Sequence, residues 1–368
     1  MLHPSIPLPN FHHGFSTNHA LCQAYQWRLT HVKLQNSKKD LGVHKISKTG
    51  FPPIVSPPSP LLQEQMSSLS PSVELIQSVE EQEKGEDETC RLQLPPPPTH
   101  AFEAFYPKGS INPSAPIPGG FGFYLTGPND FVSGQEVLMS YRVMFQNDWE
   151  WVKGGKLPGI FGGVGDLAYK CSGGRQENRC KCFDVRLMWR QNGTGELYTY
   201  LPPTENNKKQ LLAVPPVSRA NNDYGFSVGR GSFTFVKGTW VCIALRLKMN
   251  TVGEEDGELE LWINGHSVIS IQRLSFRDSE MATIKGMHFQ TFFGGHTEDW
   301  ASPKDQRAWF ADITGVSILN TPSIHLTRTY LRNRIDGRED LTRPGDKRLN
   351  LPSVQQDQIE PTSSASDQ

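Results

Sequence analysis

The sequence has no run of about 18 consecutive apolar residues, so it contains no candidate transmembrane helix. It also has no excess of either charge, because 37 Lys and Arg against 38 Asp and Glu give a formal net charge of −1. Without a global field that attracts nucleic acid or an anionic membrane, we expect neither as a partner, and local basic groups must carry any anion binding. The first residues, MLHPSIPLPNFHHGF, have neither a basic n-region nor an apolar h-region, so no signal peptide is visible.

Hydrophobic residues are scarce as well, at 36% of the chain, which indicates segments that do not fold. Residues 51–98 are rich in Pro, Ser, Glu and Gln and include the run VEEQEKGEDE. Such a composition buries too little apolar surface to offset the loss of chain entropy. We therefore predict a disordered region over 1–98, a folded domain over 99–320 and a mostly disordered tail over 321–368.

Six cysteines are present, and three of them cluster as Cys171, Cys180 and Cys182. No histidine lies within zinc-site spacing of this cluster, so we expect neither a metal site nor another cofactor. A local disulfide between Cys171 and Cys182 is the favoured interpretation, with Cys180 free or as the alternative partner. Cys242 lies inside the apolar run WVCIAL and is expected to be a buried thiol.

From about residue 100 to residue 319, aromatic and β-branched residues alternate with polar ones, and Gly, Asn and Asp interrupt them. The pattern predicts strands at Gly122–Leu125, Glu136–Phe145, Val185–Trp189, Leu197–Leu201, Ser232–Phe235, Thr239–Met249, Glu258–Ile263, Ser267–Gln272, Met287–Phe293 and Ala308–Ile318. WINGHSV predicts a hairpin, because Asn264 and Gly265 favour a type I′ turn. Many short strands without a long helical period predict an all-β fold, a two-sheet β-sandwich of jelly-roll type.

Residues 183–201, FDVRLMWRQNGTGELYTYL, are predicted to form two strands joined by a tight turn. Side chains alternate between the two faces of a strand, so Arg186, Tyr198 and Tyr200 are expected on one polar face. With a turn at Gln191–Gly195, Arg186 lies opposite Tyr200. A guanidinium can bind a carboxylate and a phenol can transfer protons, so this face indicates chemistry on an acidic sugar.

Five longer motifs lie in the same region of the chain. They are WVKGGKLPGIFGG (151–163), CFDVRLMWR (182–190), GELYTY (195–200), YGFSVGRGSFTF (224–235) and FQTFFGGHTEDWASPKDQRAWFADI (289–313). Together they resemble polysaccharide lyase family 14, most closely its fungal members, over roughly residues 100–320. The resemblance implies a β-jelly roll, an extracellular enzyme, and metal-independent β-elimination on a uronic-acid polymer such as alginate or a glucuronate polymer.

Carried over residue by residue, the family's catalytic lysine falls on Lys156, in the glycine-rich loop KGGKLPG, its arginine on Arg186, and its paired tyrosines on Tyr198 and Tyr200. Lys156 and Arg186 are expected to neutralise the substrate carboxylate and stabilise the enolate that forms when the C5 proton leaves. The same charges are expected to lower the tyrosine pKa, so that the tyrosines act as base and acid. Because both tyrosines project from one strand face, we expect syn elimination, which suits polymannuronate or polyglucuronate. The family commonly has a serine at the position of Asp184, whose carboxylate would repel an anionic substrate or pair with Arg186.

Further residues are candidates for binding the sugar chain. The candidate substrate-binding residues are Arg175, Asp184, Arg230, His288 and Gln290. For His288 and Gln290, which share one face of a strand, structural hydrogen bonding is the alternative. The leading interpretation is a monomeric polysaccharide lyase whose partner is an acidic polysaccharide. The alternative from another class is a non-catalytic carbohydrate-binding module on the same jelly roll.

Overall fold

The computed structural model describes residues 2–60, 95–128 and 131–318, which form a β-sandwich of two mainly antiparallel sheets. The strands are β1 His13–Ser16, β2 Leu29–His31, β3 Val43–His44, β4 Ile54–Val55, β5 Ala101–Tyr106, β6 Phe121–Leu125, β7 Glu136–Phe145, β8 Gly155–Val164, β9 Cys182–Trp189, β10 Thr194–Tyr200, β11 Arg219–Ala220, β12 Phe226–Thr234, β13 Val241–Lys248, β14 Gly257–Ile263, β15 His266–Leu274, β16 Ala282–Phe293 and β17 Gln306–Ser317. The α-helices are α1 His19–Ala24, α2 Ser37–Asp40 and α3 Glu205–Leu212. Short 3₁₀ helices lie at Leu34–Asn36, Phe131–Ser133, Gly165–Lys170, Arg179–Lys181, Gln191–Gly193 and Glu298–Trp300. Each predicted strand overlaps an observed one, and the prediction of a jelly-roll sandwich is confirmed.

The two sheets pack face to face around one large core. The back sheet has the strand order β15-β14-β13-β7-β17-β1-β2, with β5 also beside β17 and β4 beside β5. The groove sheet has the order β11-β12-β10-β9-β8-β16-β6-β3. Large aromatic side chains fill the space between them, among them Phe102, Tyr141, Trp149, Trp189 and Phe289. Aromatic burial on this scale is the main stabilising contribution to such a core.

Alternation along the strands separates this core from the outer face of the groove sheet. On β9, Val185, Leu187 and Trp189 belong to the core, as the alternation predicts. The side chains between them point away from the core. The predicted Asn-Gly hairpin joins β14 to β15, with Asn264 at φ 51° and Gly265 at φ 86°.

The N-terminal part of the chain differs from the expectation of a disordered region over 1–98. Strand β1 pairs antiparallel with β17 and parallel with β2, and it buries Phe15 completely. Ile6 and Phe11 are buried with Trp262 on the outer face of the back sheet. Single apolar side chains in short elements anchor this segment, so it shows neither a helical nor a strand period.

The remaining parts of the two predicted tails, residues 61–94 and 319–368, lie outside the described residues, and the predicted tail 321–368 falls entirely there. The longest α-helix in the described ranges, α3, has eight residues. No helix among the described residues is long and apolar enough to cross a membrane.

Candidate active site

A groove of about 730 Å³ lies on the outer face of the groove sheet and runs across its strands. Side chains from β10, β9, β8, β16 and β6 line its floor, in the order in which these strands neighbour one another. A chain-like ligand in this groove would therefore cross the strands rather than run along them.

The charge of the groove is of one sign. Among the described residues that line it, none is Asp or Glu and five are Lys or Arg. These cations are Lys45, Lys156, Arg175, Arg186 and Arg190. Because the chain as a whole is almost neutral, this concentration of positive charge is local and suits an anionic ligand.

The hairpin β9–β10 carries the centre of the groove, but its register differs from the prediction. Arg186 lies opposite Tyr198, and Asp184 lies opposite Tyr200, so the pairing is shifted by two residues. The turn closes earlier than expected because Asn192 and Gly193 both adopt positive φ, at 58° and 74°. A shift by two residues keeps every side chain on its predicted face, so the arginine and the tyrosines still face the groove.

Lys156 lies on a strand and not in the predicted glycine-rich loop. Strand β8 pairs Lys156 with Met188 on one side and with Phe292 on the other. The neighbouring glycines reflect close packing between strands, since a Cβ at Gly155 would overlap the Trp189 ring. The resulting position on a central strand fixes the lysine in the floor of the groove.

The amine of Lys156 is buried among uncharged groups. Its Nζ lies 3.0 Å from the Sδ of Met188 and 3.1 Å from the centroid of the Tyr198 ring. Burial lowers the pKa of Lys156 well below its usual value, and the charges of Arg186 and Arg190 act in the same direction. The face of the Tyr198 ring favours the ammonium form and opposes this shift. The net effect on the pKa of Lys156 is downward, which favours its neutral amine.

The two tyrosines have pKa shifts opposite to the expected ones. Their rings lie 5.4 Å apart between centroids, and both side chains are almost fully buried. Burial raises the pKa of Tyr198 and of Tyr200, while Arg190 and Arg186, respectively, oppose the shift only in part. The expectation that nearby cations lower these pKa values is therefore wrong. Both phenols are protonated near neutral pH, which suits a proton donor better than a base.

Arg186 is held by carbonyl oxygens alone. Its Nε donates to the backbone oxygen of Leu157 at 3.2 Å, and its two terminal nitrogens donate to Oε1 and the backbone oxygen of Gln290, at 3.2 and 2.7 Å. A guanidinium has five N–H donors, so two remain, one on each terminal nitrogen. Within the described residues no carboxylate forms a hydrogen bond with Arg186, so these two donors remain for an anionic ligand.

Asp184 pairs with His288 instead of Arg186. The His288 Nδ1 donates to the Oδ2 of Asp184 at 2.8 Å, and both side chains are buried. Burial lowers the pKa of His288, Arg186 acts in the same direction, and Asp184 opposes the shift. His288 also stacks on Tyr124, with ring centroids 4.2 Å apart. His288 and Gln290 both line the groove, whereas Asp184, whose Oδ2 is bound by His288, is not among the described residues that line it.

The two remaining candidate arginines have different positions. Arg175 lines the groove on a segment closed by the disulfide Cys171–Cys182, which confirms the predicted pairing. Arg230 is not among the described residues that line the groove, and its Nε donates to the Oε2 of buried Glu196 at 2.6 Å. Cys180 is free and exposed, and Cys242 is buried, as expected.

Arg190, Tyr124 and Lys45 line the groove and are among the residues that the sequence analysis did not identify as site candidates. Arg190 binds the other oxygen of Glu196, with its Nε 2.8 Å from Oε1, and approaches Trp300. Alternation places Arg190 on the same strand face as Arg186, but it does not show that Arg190 contacts the groove. Tyr124 and Lys45 lie on strands or segments far away in sequence, so only the fold brings them to the groove.

Comparisons with known proteins show which family the chain resembles. The family model described as Polysaccharide lyase 14 matches residues 96–313, more than half of the chain. The crystal structure of a PL-14 alginate lyase from Aplysia kurodai is 35% identical in sequence, over 60% of this chain and 83% of that one, with a TM-score of 0.53. An alginate lyase from Chlorella virus is 25% identical, over 59% of this chain and 85% of that one, with a TM-score of 0.50. A comparison with curated protein sequences gave no match.

Proposed function

The chain is a member of polysaccharide lyase family 14, and from this premise we propose that the enzyme cleaves 4-linked polymers of β-D-mannuronate or β-D-glucuronate by syn β-elimination. The observation that carries the proposal is the groove itself, which is lined by five Lys and Arg side chains and by no described carboxylate side chain. Such a lining favours a polyanion over a neutral glycan. The two relatives reported above are alginate lyases, which supports a uronate polymer as substrate.

The reaction sets three requirements for the groove. A base must take the C5 proton of the uronate. The electron pair of the broken C5–H bond then forms the C4–C5 double bond, and the C4–O4 bond breaks with its electron pair on O4. An acid must protonate O4 as it leaves. Negative charge builds up on the uronate carboxylate between these steps, so fixed donors must stabilise it.

Arg186 meets the last requirement. Its two free N–H groups can hold both carboxylate oxygens, and Gln290 keeps the guanidinium from rotating. Arg186 is 1% exposed and its guanidinium has no carboxylate hydrogen-bond partner among the described residues, so no described carboxylate competes with the substrate for its two remaining donors. The role proposed for Arg186, stabilising the substrate carboxylate, is the one that the family resemblance implies.

Lys156 is the proposed base, which revises the role expected from the sequence. Its lowered pKa makes the neutral amine accessible, whereas the raised pKa of Tyr198 and Tyr200 keeps the phenols protonated. One of the tyrosines then donates the proton to O4. Nζ of Lys156 lies 3.1 Å from the Tyr198 ring centroid and 5.4 Å from that of Tyr200. This proximity supports a base and an acid that act on the same face of the sugar, as syn elimination requires.

The test is turnover by the full chain on three pure polymers: polymannuronate, polyglucuronate and polyguluronate. Ultraviolet absorbance of the unsaturated uronate product reports cleavage. We expect the first two polymers to be cleaved faster than the third, with the double variant Tyr198→Phe/Tyr200→Phe, which lacks both candidate acids, as an inactive control. Preferential cleavage of polyguluronate contradicts syn elimination. Tight binding of a polyuronate without any product contradicts catalysis and identifies a binding module instead.

A further inference from the structure

One wall of the groove comes from the N-terminal segment 43–47, which lies outside the region that matches the family model. Strand β3 pairs with β6, so that Val43 lies opposite Leu125 and His44 opposite Tyr124. Immediately after this strand, Lys45 and Ser47 line the groove. The segment therefore adds an outermost strand to the groove sheet and lengthens the groove by one strand spacing, about 4.8 Å.

Several contacts fix this segment in place. The backbone N–H of Ser47 donates to the oxygen of Gly122 at 2.7 Å, which continues the pairing beyond β3. Nδ1 of His44 donates to the oxygen of Gly42 at 2.8 Å, and Nε2 forms a hydrogen bond with the hydroxyl of Tyr169 at 2.8 Å. A segment with these anchors presents its side chains in a defined position rather than as a loose arm.

The ammonium group of Lys45 has only a distant carboxylate neighbour among the described residues. Its backbone adopts φ 49°, a conformation that is costly for a residue with a Cβ and that turns the chain sharply after β3. Its Nζ lies 3.6 Å from the centroid of the Tyr169 ring, which attracts the ammonium. The nearest carboxylate oxygen, on Asp166, is 3.9 Å away, and that side chain is 90% exposed. The ammonium thus keeps donors free for a ligand in the groove.

The position of Lys45 relates it to the cleavage site. Tyr124 stacks against both His44 and His288, with ring centroids 6.1 and 4.2 Å apart. Four strand spacings, roughly 19 Å, separate β3 from β9, the strand that carries Arg186. This separation is too large for one uronate unit to contact both cations, but it suits another unit of the same chain.

We propose that segment 43–47 forms a further carboxylate subsite, in which Lys45 binds a uronate unit other than the one that is cleaved. This inference rests on the proposed function and adds a length requirement to it. Short oligomers that fill only the centre of the groove do not reach Lys45, whereas long oligomers and the polymer do.

Lys45→Gln tests the subsite, with Lys48→Gln as a matched control. Lys48 is exposed, directly follows this segment in the chain and does not line the groove. On the polymer, Lys45→Gln should raise KM roughly threefold to tenfold, the scale of a partly exposed ion pair with charge-assisted hydrogen bonds. We expect kcat on the polymer and both constants on the shortest cleaved oligomers to match the wild type. Asp166→Asn removes the competing carboxylate and should lower KM on the polymer.

Two results overturn the subsite. One is a KM on the polymer that is the same for Lys45→Gln and Lys48→Gln; the other is an equal loss on short and long oligomers. If the wild type cleaves no polyuronate, the proposed function fails, and calorimetric binding of the polymers still tests Lys45 separately. In that case, equal affinity of the wild type and Lys45→Gln overturns the subsite as well. Equal thermal unfolding of all four proteins shows that each variant is folded.

Discussion

Replacing Lys156 by Arg separates the two roles that this side chain can have, a proton acceptor or a fixed positive charge. Arginine keeps the charge, but its pKa above about 12 leaves fewer than about one guanidinium in 10⁵ neutral at pH 7. In contrast, burial and two neighbouring arginines favour the neutral amine of Lys156. A positioned base contributes about 10²- to 10⁴-fold to the rate, and we expect kcat of Lys156→Arg to fall by that factor.

Lys156→Met is the matched control, because methionine is unbranched, of similar length and without charge. A base at this position predicts that the Arg and Met variants are equally inactive. A fixed positive charge predicts instead that the Arg variant stays within about tenfold of the wild type while the Met variant does not. The initial rate of product absorbance on the preferred polymer, at saturating concentration, distinguishes these outcomes. Substantial activity of Lys156→Arg with loss in Lys156→Met would refute the assignment of the base.

The remaining predictions concern the surroundings of the site and the fold. Arg190→Gln removes a positive charge that lowers the pKa of Lys156, so this pKa should rise and the acidic limb of the kcat/KM profile should move to higher pH; an unchanged limb contradicts the base. Phe15→Ala should reduce the free energy of unfolding in urea by about 3–5 kcal/mol, because Phe15 is fully buried; a loss near zero would mean that the N-terminal segment is dispensable. Asp184→Ala should cost about 1–3 kcal/mol in the same assay by leaving the Nδ1 of His288 unpaired, and Asp184→Asn, which keeps an acceptor, should cost less. Equal costs for the two variants would contradict this role of the hydrogen bond.

The hairpin shows which part of a β-fold alternation can predict. Period two fixes the face of each side chain, so Arg186, Tyr198 and Tyr200 were correctly expected together. The register depends on where the turn closes, and that was decided by positive φ at Asn192 and Gly193. Their Asn-Gly sequence is a signal for a tight turn that the broader span Gln191–Gly195 passed over.

Glycine was the main source of error around Lys156. KGGKLPG has the composition of a loop, and loops and tightly packed central strands both select glycine. The bulk of Trp189, which leaves no room for a Cβ at Gly155, lies on a different strand and is visible only in three dimensions. In the same way, tyrosine pKa values depend on burial, which the charge pattern alone does not report.

The roles of the charged residues depended on partners far away in sequence. Arg230 was a candidate for substrate binding because arginine binds carboxylates. In the structure it pairs with Glu196 and is not among the described residues that line the groove. Asp184 was expected to repel the substrate or to pair with Arg186, and its actual partner is His288, 104 positions later in the chain. Such pairings follow from strand order, which the sequence did not specify.

The short strand β3 also bears on the solubility of the protein, because it covers an edge of β6. The sequence of β6, FGFYL, has no charge and is largely apolar. An open strand of this kind is a template on which a second molecule can add its own strand, the first step of aggregation. Val43 and His44 occupy that edge, and the sharp turn at Lys45 ends the ladder after two residues. The segment that lengthens the groove therefore also opposes the addition of a strand from a second molecule at this edge of β6.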